Sequence, residues 1–484
     1  MQHSDDINDL KAKHICFDCV GEAYLSDEIK KNGVIEQCFY CTESAECYAI
    51  ATLAERIEAA FDDHFYRTSD QPDSLQRTML ADKESSYNWD RDGAPICDAI
   101  AEAAGLSESA ATDIQSLLDD KHGDFESDQM GEETDFSSDS YYEERGSSDE
   151  VWQDEWRAFE RSLKQEARFF SRVAASHLMS VFGGIDKLKT EGGTLLVLNA
   201  GEQSPLNHLY RARVFQSEDK LTEALCRPDL HLGSPPSNLA SAGRMNARGI
   251  SVFYGATEAG VAIAEVRPPV GSRVAVAKFN IMRPLRLLDL TALKQVRDSG
   301  SYFDPSLKGR LERVAFLRTL EQRMTRPVMP DDEVFDYLAT QAVADFLATE
   351  NDPLVDGIIF RSAQVKDGRN VVLFHKAAQI EPMTFPDETK ISASTGYGTE
   401  EGWEVDYSVS ERLPPPSPPE AVEDGLFHVQ LYAGSSHYQD KDSRQSALRI
   451  DPQSVVVHHI EWVEYHDSNY KVDRYRYETH GLKF

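Results

Sequence analysis

A chain of 484 residues, 40% of them apolar, is long enough for two to four domains with ordinary cores. Its 50 Lys and Arg face 83 Asp and Glu, a formal charge of −33 that repels phosphate backbones and anionic surfaces and argues against nucleic acid or membrane as a partner. No run approaches 18 apolar residues and the acidic start MQHSDDINDL has no basic-then-apolar leader, so a cytoplasmic protein is expected, its seven cysteines ligands, buried thiols or nucleophiles rather than disulfides.

Four cysteines fall as Cys16-Phe-Asp-Cys19 and Cys38-Phe-Tyr-Cys41. Two residues between thiolates let a tight turn aim both sulfurs at one ion, and two such knuckles supply the S4 set that zinc prefers, so residues 14–45 are read as a closed, structural Zn2+ site. Ile50, Leu53, Ile57, Ala60 and Phe61 recur at helical spacing and predict an amphipathic helix over 44–65. The acidic, Ser-rich stretch at about 119–152 has the composition of a solvated linker. Helical pattern returns over 154–183, where Arg172 and His177 are separated by four residues.

From Thr194 short branched runs appear, TLLVL, VAVAKF, LRLLDL, VDGIIF and NVVLFH, which predict strands. Leu307 to Leu317 and Val334 to Ala342 mark two helices between them, giving an α+β domain over 195–385. A polyproline spacer at 414–419 precedes LFHVQLY and SVVVHHIEWVEY, read as strands of a small β-rich C-terminal extension within 386–484.

The stretch GRMNARGISVFYGATEAGVAIAEVRPP, beginning at Gly243, predicts a glycine turn, a strand over 250–255 and a helix from an N-cap at Thr257 to Val266, ended by Pro268 and Pro269. It lodges Tyr254 and Glu265 among small apolar residues. Burying that carboxylate beside Ala262, Ile263 and Val266 costs several kcal/mol unless it is paired or working. Upstream, YRAR contributes Arg211 and Arg213 to one strand face, and GRMN contributes Arg244; downstream, Ser362 ends one strand and Asn370 opens the next.

In this order, Arg211, Arg244, Tyr254, Glu265, Ser362 and Asn370 resemble the RES domain, over about 200–376. Residues 1–185, with the paired CxxC and ARFF, resemble the HEPN/RES-type N-terminal domain found fused to it. The resemblance implies a mixed-sheet core like that of ADP-ribosyltransferases, NAD+ as substrate, and a toxin or phage-defence effector held in check by a cognate antitoxin or other protein partner. The residues suit that chemistry. Breaking the nicotinamide N-glycosidic bond builds positive charge on the ribose, which Glu265 would stabilise; Tyr254 would stack on the nicotinamide and orient it through its hydroxyl. Arg211, Arg213 and Arg244 would fork onto the pyrophosphate, and Ser362 and Asn370 would hydrogen-bond the ribose or amide.

Catalysis is thus expected of Glu265, Tyr254 and Arg211, and NAD+ binding of Arg213, Arg244, Ser362 and Asn370. The acceptor stays open between water, phosphate and a protein side chain, that is, a glycohydrolase, a phosphorylase or an ADP-ribosyltransferase. Two rival readings stand beside it: a non-catalytic module sensing a nucleotide, and a HEPN-type ribonuclease working through Arg172 and His177.

Overall fold

The computed structural model describes residues 2–82, 84–124, 130, 132–400, 402–414, 444–464 and 466–476. LFHVQLY and most of the polyproline spacer lie outside them. The chain divides into two units, one of 1–181, 185–196 and 292–323, the other of 182–184, 197–291 and 324–484. Among the described residues no helix is long and apolar enough to cross a membrane.

In the first unit, strands His14–Cys16, Val34–Gln37 and Ser44–Ala49 form an antiparallel sheet with Ser44–Ala49 in the middle. The helix expected over 44–65 therefore begins only at Ile50 and runs to His64. Cys47 pairs with both Cys16 and Val34, and this cross-strand pairing overrides the helical spacing around it. Helices Ile50–His64, Ile96–Ala104 and Glu108–His122 bury Leu53, Ile57, Ile100 and Ile114 in one core.

The same core contradicts the solvated linker expected at about 119–152. Helix Glu108–His122 extends into that stretch, Tyr141–Glu144 is the central strand of a second three-stranded sheet, and Phe136 and Tyr142 are buried. Burying one such ring contributes about 2 kcal/mol, enough to hold a segment whose remaining side chains are acidic and solvated. The single helical stretch expected over 154–183 is two helices, Glu150–Gln165 and Arg172–Phe182.

The second unit is built on an eight-stranded mixed sheet. Its strands are β1 (Val197–Ala200), β2 (His208–Phe215), β3 (Phe253–Ala256), β4 (Arg273–Ile281), β5 (Leu285–Asp289), β6 (Gly357–Arg361), β7 (Arg369–Leu373) and β8 (Leu448–His459), in the spatial order β8-β4-β2-β3-β7-β6-β5-β1. All pairs are antiparallel except β5 with β6. The C-terminal strand thus joins this sheet, pairing along β4 from Leu448 to His459.

Period-two alternation gives the sheet two apolar faces. On one, Leu209, Phe253, Phe279 and Val371 pack with Leu221 and Leu225 of helix α1 (Glu218–Cys226). On the other, Ala212, Ala256, Val274 and Val276 receive Val261 and Ala262 of helix α2 (Ala259–Glu265). At the centre of the sheet β2 and β3 share one register pair, Ala256 with Tyr210. Each goes on to pair fully with its other neighbour, β2 with β4 and β3 with β7, so the two halves of the sheet part where the site is found.

Candidate functional site

A cleft of about 330 Å3 opens at this parting, within the range of small-ligand pockets. Tyr210, Arg211, Arg244, Tyr254, Glu265 and Arg267 line it, with Tyr337 and Asn370.

Glu265 is the last residue of α2, a seven-residue helix capped by Glu258 rather than Thr257. Its carboxylate is half-buried and held through a single oxygen. Ser362 Oγ donates to Oε1 at 2.5 Å and Asn370 Nδ2 donates to the same atom at 2.8 Å. Among the described residues no hydrogen bond reaches Oε2. Ser362 in turn accepts from the backbone N–H of Gln364 and of Val365, both at 3.0 Å, so its hydroxyl is fully engaged. Asn370 is only 4% exposed, and its Oδ1 meets no donor among the described residues. Both side chains were expected to bond the ligand. Instead their donors position Glu265, because the strand end at Ser362 and the strand start at Asn370 are brought together by the turn between β6 and β7.

Tyr254 is engaged in a similar way. Its hydroxyl donates to Asn246 Oδ1 at 3.0 Å and accepts the Met245 N–H at 3.0 Å, while Asn246 Nδ2 donates to the carbonyls of Ser241, Ala247 and Ile250. A Cβ on Gly243 would stand 2.8 Å from that hydroxyl, so glycine is required there. Burial pushes the phenol up to about 12, and it stays protonated. Since its one proton goes to Asn246, the hydroxyl is not free to orient a ligand, and the ring is what Tyr254 offers the cleft.

Arg244 lies in the loop that Tyr254 fastens. Helix α3 (Glu333–Thr349) holds the loop backbone: Thr340 Oγ1 donates to the Arg244 carbonyl at 2.5 Å and Gln341 Nε2 to the Gly243 carbonyl at 2.8 Å. The guanidinium donates to the Met324 carbonyl at 3.0 Å and lies 4.9 Å from the Tyr337 ring centre. Arg211 sits 5.0 Å from the centre of the Phe253 ring, its Nη1 buried without an acceptor. Burial, with the nearby charge of Arg213, pulls its pKa down to about 10. Neither Arg211 nor Arg244 is paired with a carboxylate among the described residues, in a chain where acids outnumber bases by 33. Two such cations on one cleft suit an anionic ligand.

Residues 209–389 match the family model described as the RES domain. The chain carries a RES domain. No curated protein and no solved structure matches the chain.

Of the seven site residues expected within the RES domain, five line the cleft, Ser362 stands behind Glu265, and Arg213 is apart from them. Arg213 shares a strand face with Arg211, but it is exposed and donates to the His231 carbonyl at 2.5 Å, outside the cleft lining. Sequence reasoning missed Asn246, Arg267 and Tyr337. The signal for Arg267 was present, since the first proline after a helix marks the residue before it as lying beyond the helix end.

The pairing of Arg172 with His177 fails on geometry. Five residues along a helix turn the side chains about 140° apart. Arg172 is exposed, whereas His177 is buried between the rings of Trp156 and Phe159, with Glu155 Oε2 3.3 Å from its Nδ1. Burial holds its pKa below the usual histidine value.

In the first unit the sulfurs of Cys16, Cys19, Cys38 and Cys41 all lie within 4.8 Å of one another. Cys16 and Cys41 are 3.5 Å apart, and Cys19 and Cys38 3.8 Å. Thiolates bound to zinc at about 2.3 Å stand about 3.8 Å apart at the corners of a tetrahedron, so the cluster fits such an ion. Cys47 is buried beside the four but turns its thiol to the Glu36 carbonyl.

Proposed function

We propose that the cleft cleaves the nicotinamide N-glycosidic bond of NAD+. One observation carries the reading: a carboxylate with one oxygen fixed and the other unclaimed among the described residues shares a cleft with three guanidiniums, of Arg211, Arg244 and Arg267, that have no carboxylate partner among those residues. When the C1′–N bond breaks, the bonding pair leaves with the ring as neutral nicotinamide and positive charge develops on the ribose. Glu265 Oε2 would accept from the ribose hydroxyls and oppose that charge, a preorganised effect on the order of 3 kcal/mol. Ser362 and Asn370 keep the carboxylate in place. Tyr254 supplies a ring face for the nicotinamide, and Arg211 and Arg244 bind the pyrophosphate.

Depletion of NAD+ by such a chain would be toxic to the cell that makes it, consistent with a toxin-type effector controlled by a protein partner. The four clustered cysteines would hold one structural Zn2+, with every coordination position filled by protein and none left for chemistry.

The test incubates the purified full chain with NAD+, with and without inorganic phosphate. Nicotinamide release and the second product are followed together. Nicotinamide release by the wild type and its loss in Glu265→Gln is the expected result, and the second product identifies the acceptor. No release by the wild type would leave nucleotide sensing as the better account.

A further inference from the structure

Arg267 occupies an unusual place. Helix α2 ends at Glu265, Val266 caps it, and Arg267 follows with φ 44°, in the left-handed region that glycine normally takes after a helix. An arginine is kept there at a cost in backbone strain, and strained residues of this kind gather at ligand sites. The residue is exposed and lies in the lining of the cleft. Among the described residues it has no carboxylate partner. With its oxygen turned toward the guanidinium, the Gln364 amide accepts from Nη2 at 3.0 Å and from Nε at 3.2 Å. The backbone N–H of Gln364 donates to Ser362 Oγ, so the turn that orients Glu265 also steadies Arg267.

We propose that Arg267 binds the phosphate on the 5′ carbon of the nicotinamide ribose, a contact that rests on the reading of the cleft given above. The reason is distance along the ligand. Arg267 stands two residues beyond Glu265, and if Glu265 lies at the ribose, the nearest anion is the phosphate esterified to that same sugar. Arg211 and Arg244 are then left for the rest of the pyrophosphate. Arg267 would make the cleft selective for nicotinamide ribosides that carry a 5′-phosphate.

The experiment compares wild type, Arg267→Gln and Arg267→Gly with NAD+ and with nicotinamide riboside, which lacks the phosphate. A lost charge-assisted contact should raise KM for NAD+ about 10- to 100-fold, with kcat within about threefold. KM for the riboside should stay within about twofold. Arg267→Gly keeps the backbone comfortable at positive φ, so it should melt no lower than wild type and yet show the same rise in KM. Equal changes for both substrates, or an unchanged KM for NAD+ in either variant, would overturn the assignment. ADP-ribose binding by calorimetry separates the two levels. If affinity depends on Arg267 while the wild type releases no nicotinamide, the phosphate contact stands and the catalytic reading falls.

Discussion

Ser362 Oγ and Glu265 Oε1 lie 2.5 Å apart, and the serine's remaining acceptor capacity is taken by two backbone N–H groups of its own turn. The serine is thus a fixture for the carboxylate and has no proton to spare for a ligand. Ser362→Ala should lower kcat about 10-fold, the worth of one charge-assisted hydrogen bond, and leave KM for NAD+ within about twofold. Ser362→Thr, which restores a hydroxyl, should recover most of the loss. A rise in KM at constant kcat would show instead that the hydroxyl touches substrate.

Glu265→Gln keeps the size and the acceptor oxygen but removes the charge that opposes the developing cation. Nicotinamide release should fall about 10²- to 10³-fold, with little change in melting temperature. Turnover equal to wild type would remove Glu265 from the mechanism.

Tyr254→Phe leaves Asn246 Oδ1 and the Met245 N–H without a partner, at a cost of about 1–3 kcal/mol. Thermal denaturation should register that loss. Because the ring remains and only the loop bearing Arg244 is loosened, KM should rise more than kcat falls. A collapse of kcat alone would mean that the hydroxyl takes part in chemistry.

Burial and the neighbouring charge of Arg213 disfavour the Arg211 cation, and an anion in the cleft would relieve that cost. A guanidinium keeps its charge throughout the accessible pH range, so its part in ADP-ribose affinity should not depend on pH. In Arg211→Gln, calorimetry should find binding weaker by about 10-fold or more at every pH. Unchanged affinity would remove Arg211 from the ligand site.

Metal analysis of the purified chain should find one zinc per molecule, absent from a Cys16→Ser, Cys38→Ser double variant. If the four thiolates hold an ion, chelation should lower the melting temperature of the first unit, because binding free energy at such a site is folding free energy. A metal-free wild type of unchanged stability would show the thiols to be simply reduced and buried.

The strand runs VAVAKF, LRLLDL, VDGIIF and NVVLFH were legible because branched residues in short runs leave few alternatives, and each lies in or overlaps a strand of the sheet. Glu265 was legible because a carboxylate among Ala262, Ile263 and Val266 contradicts its surroundings. The roles of Ser362 and Asn370 were not, since their bonds to Glu265 span 97 and 105 residues and exist only once β6 and β7 are aligned. Composition misled at Phe136 and Tyr142: two buried rings anchor a stretch whose average is acidic, and an average hides two residues. Arg213 shows the limit of alternation, which fixes the face a side chain takes but not the acceptor it finds there.

Strand β8 comes from residues 448–459, well after the matched segment ends at 389. While the ribosome is still short of it, β4 has no neighbour on its outer side, and a long row of backbone donors and acceptors stands open. A nascent chain therefore holds every residue of the cleft before it holds a finished sheet. A recombinant fragment cut at 389 would keep that flank of β4 uncovered and prone to edge-to-edge association.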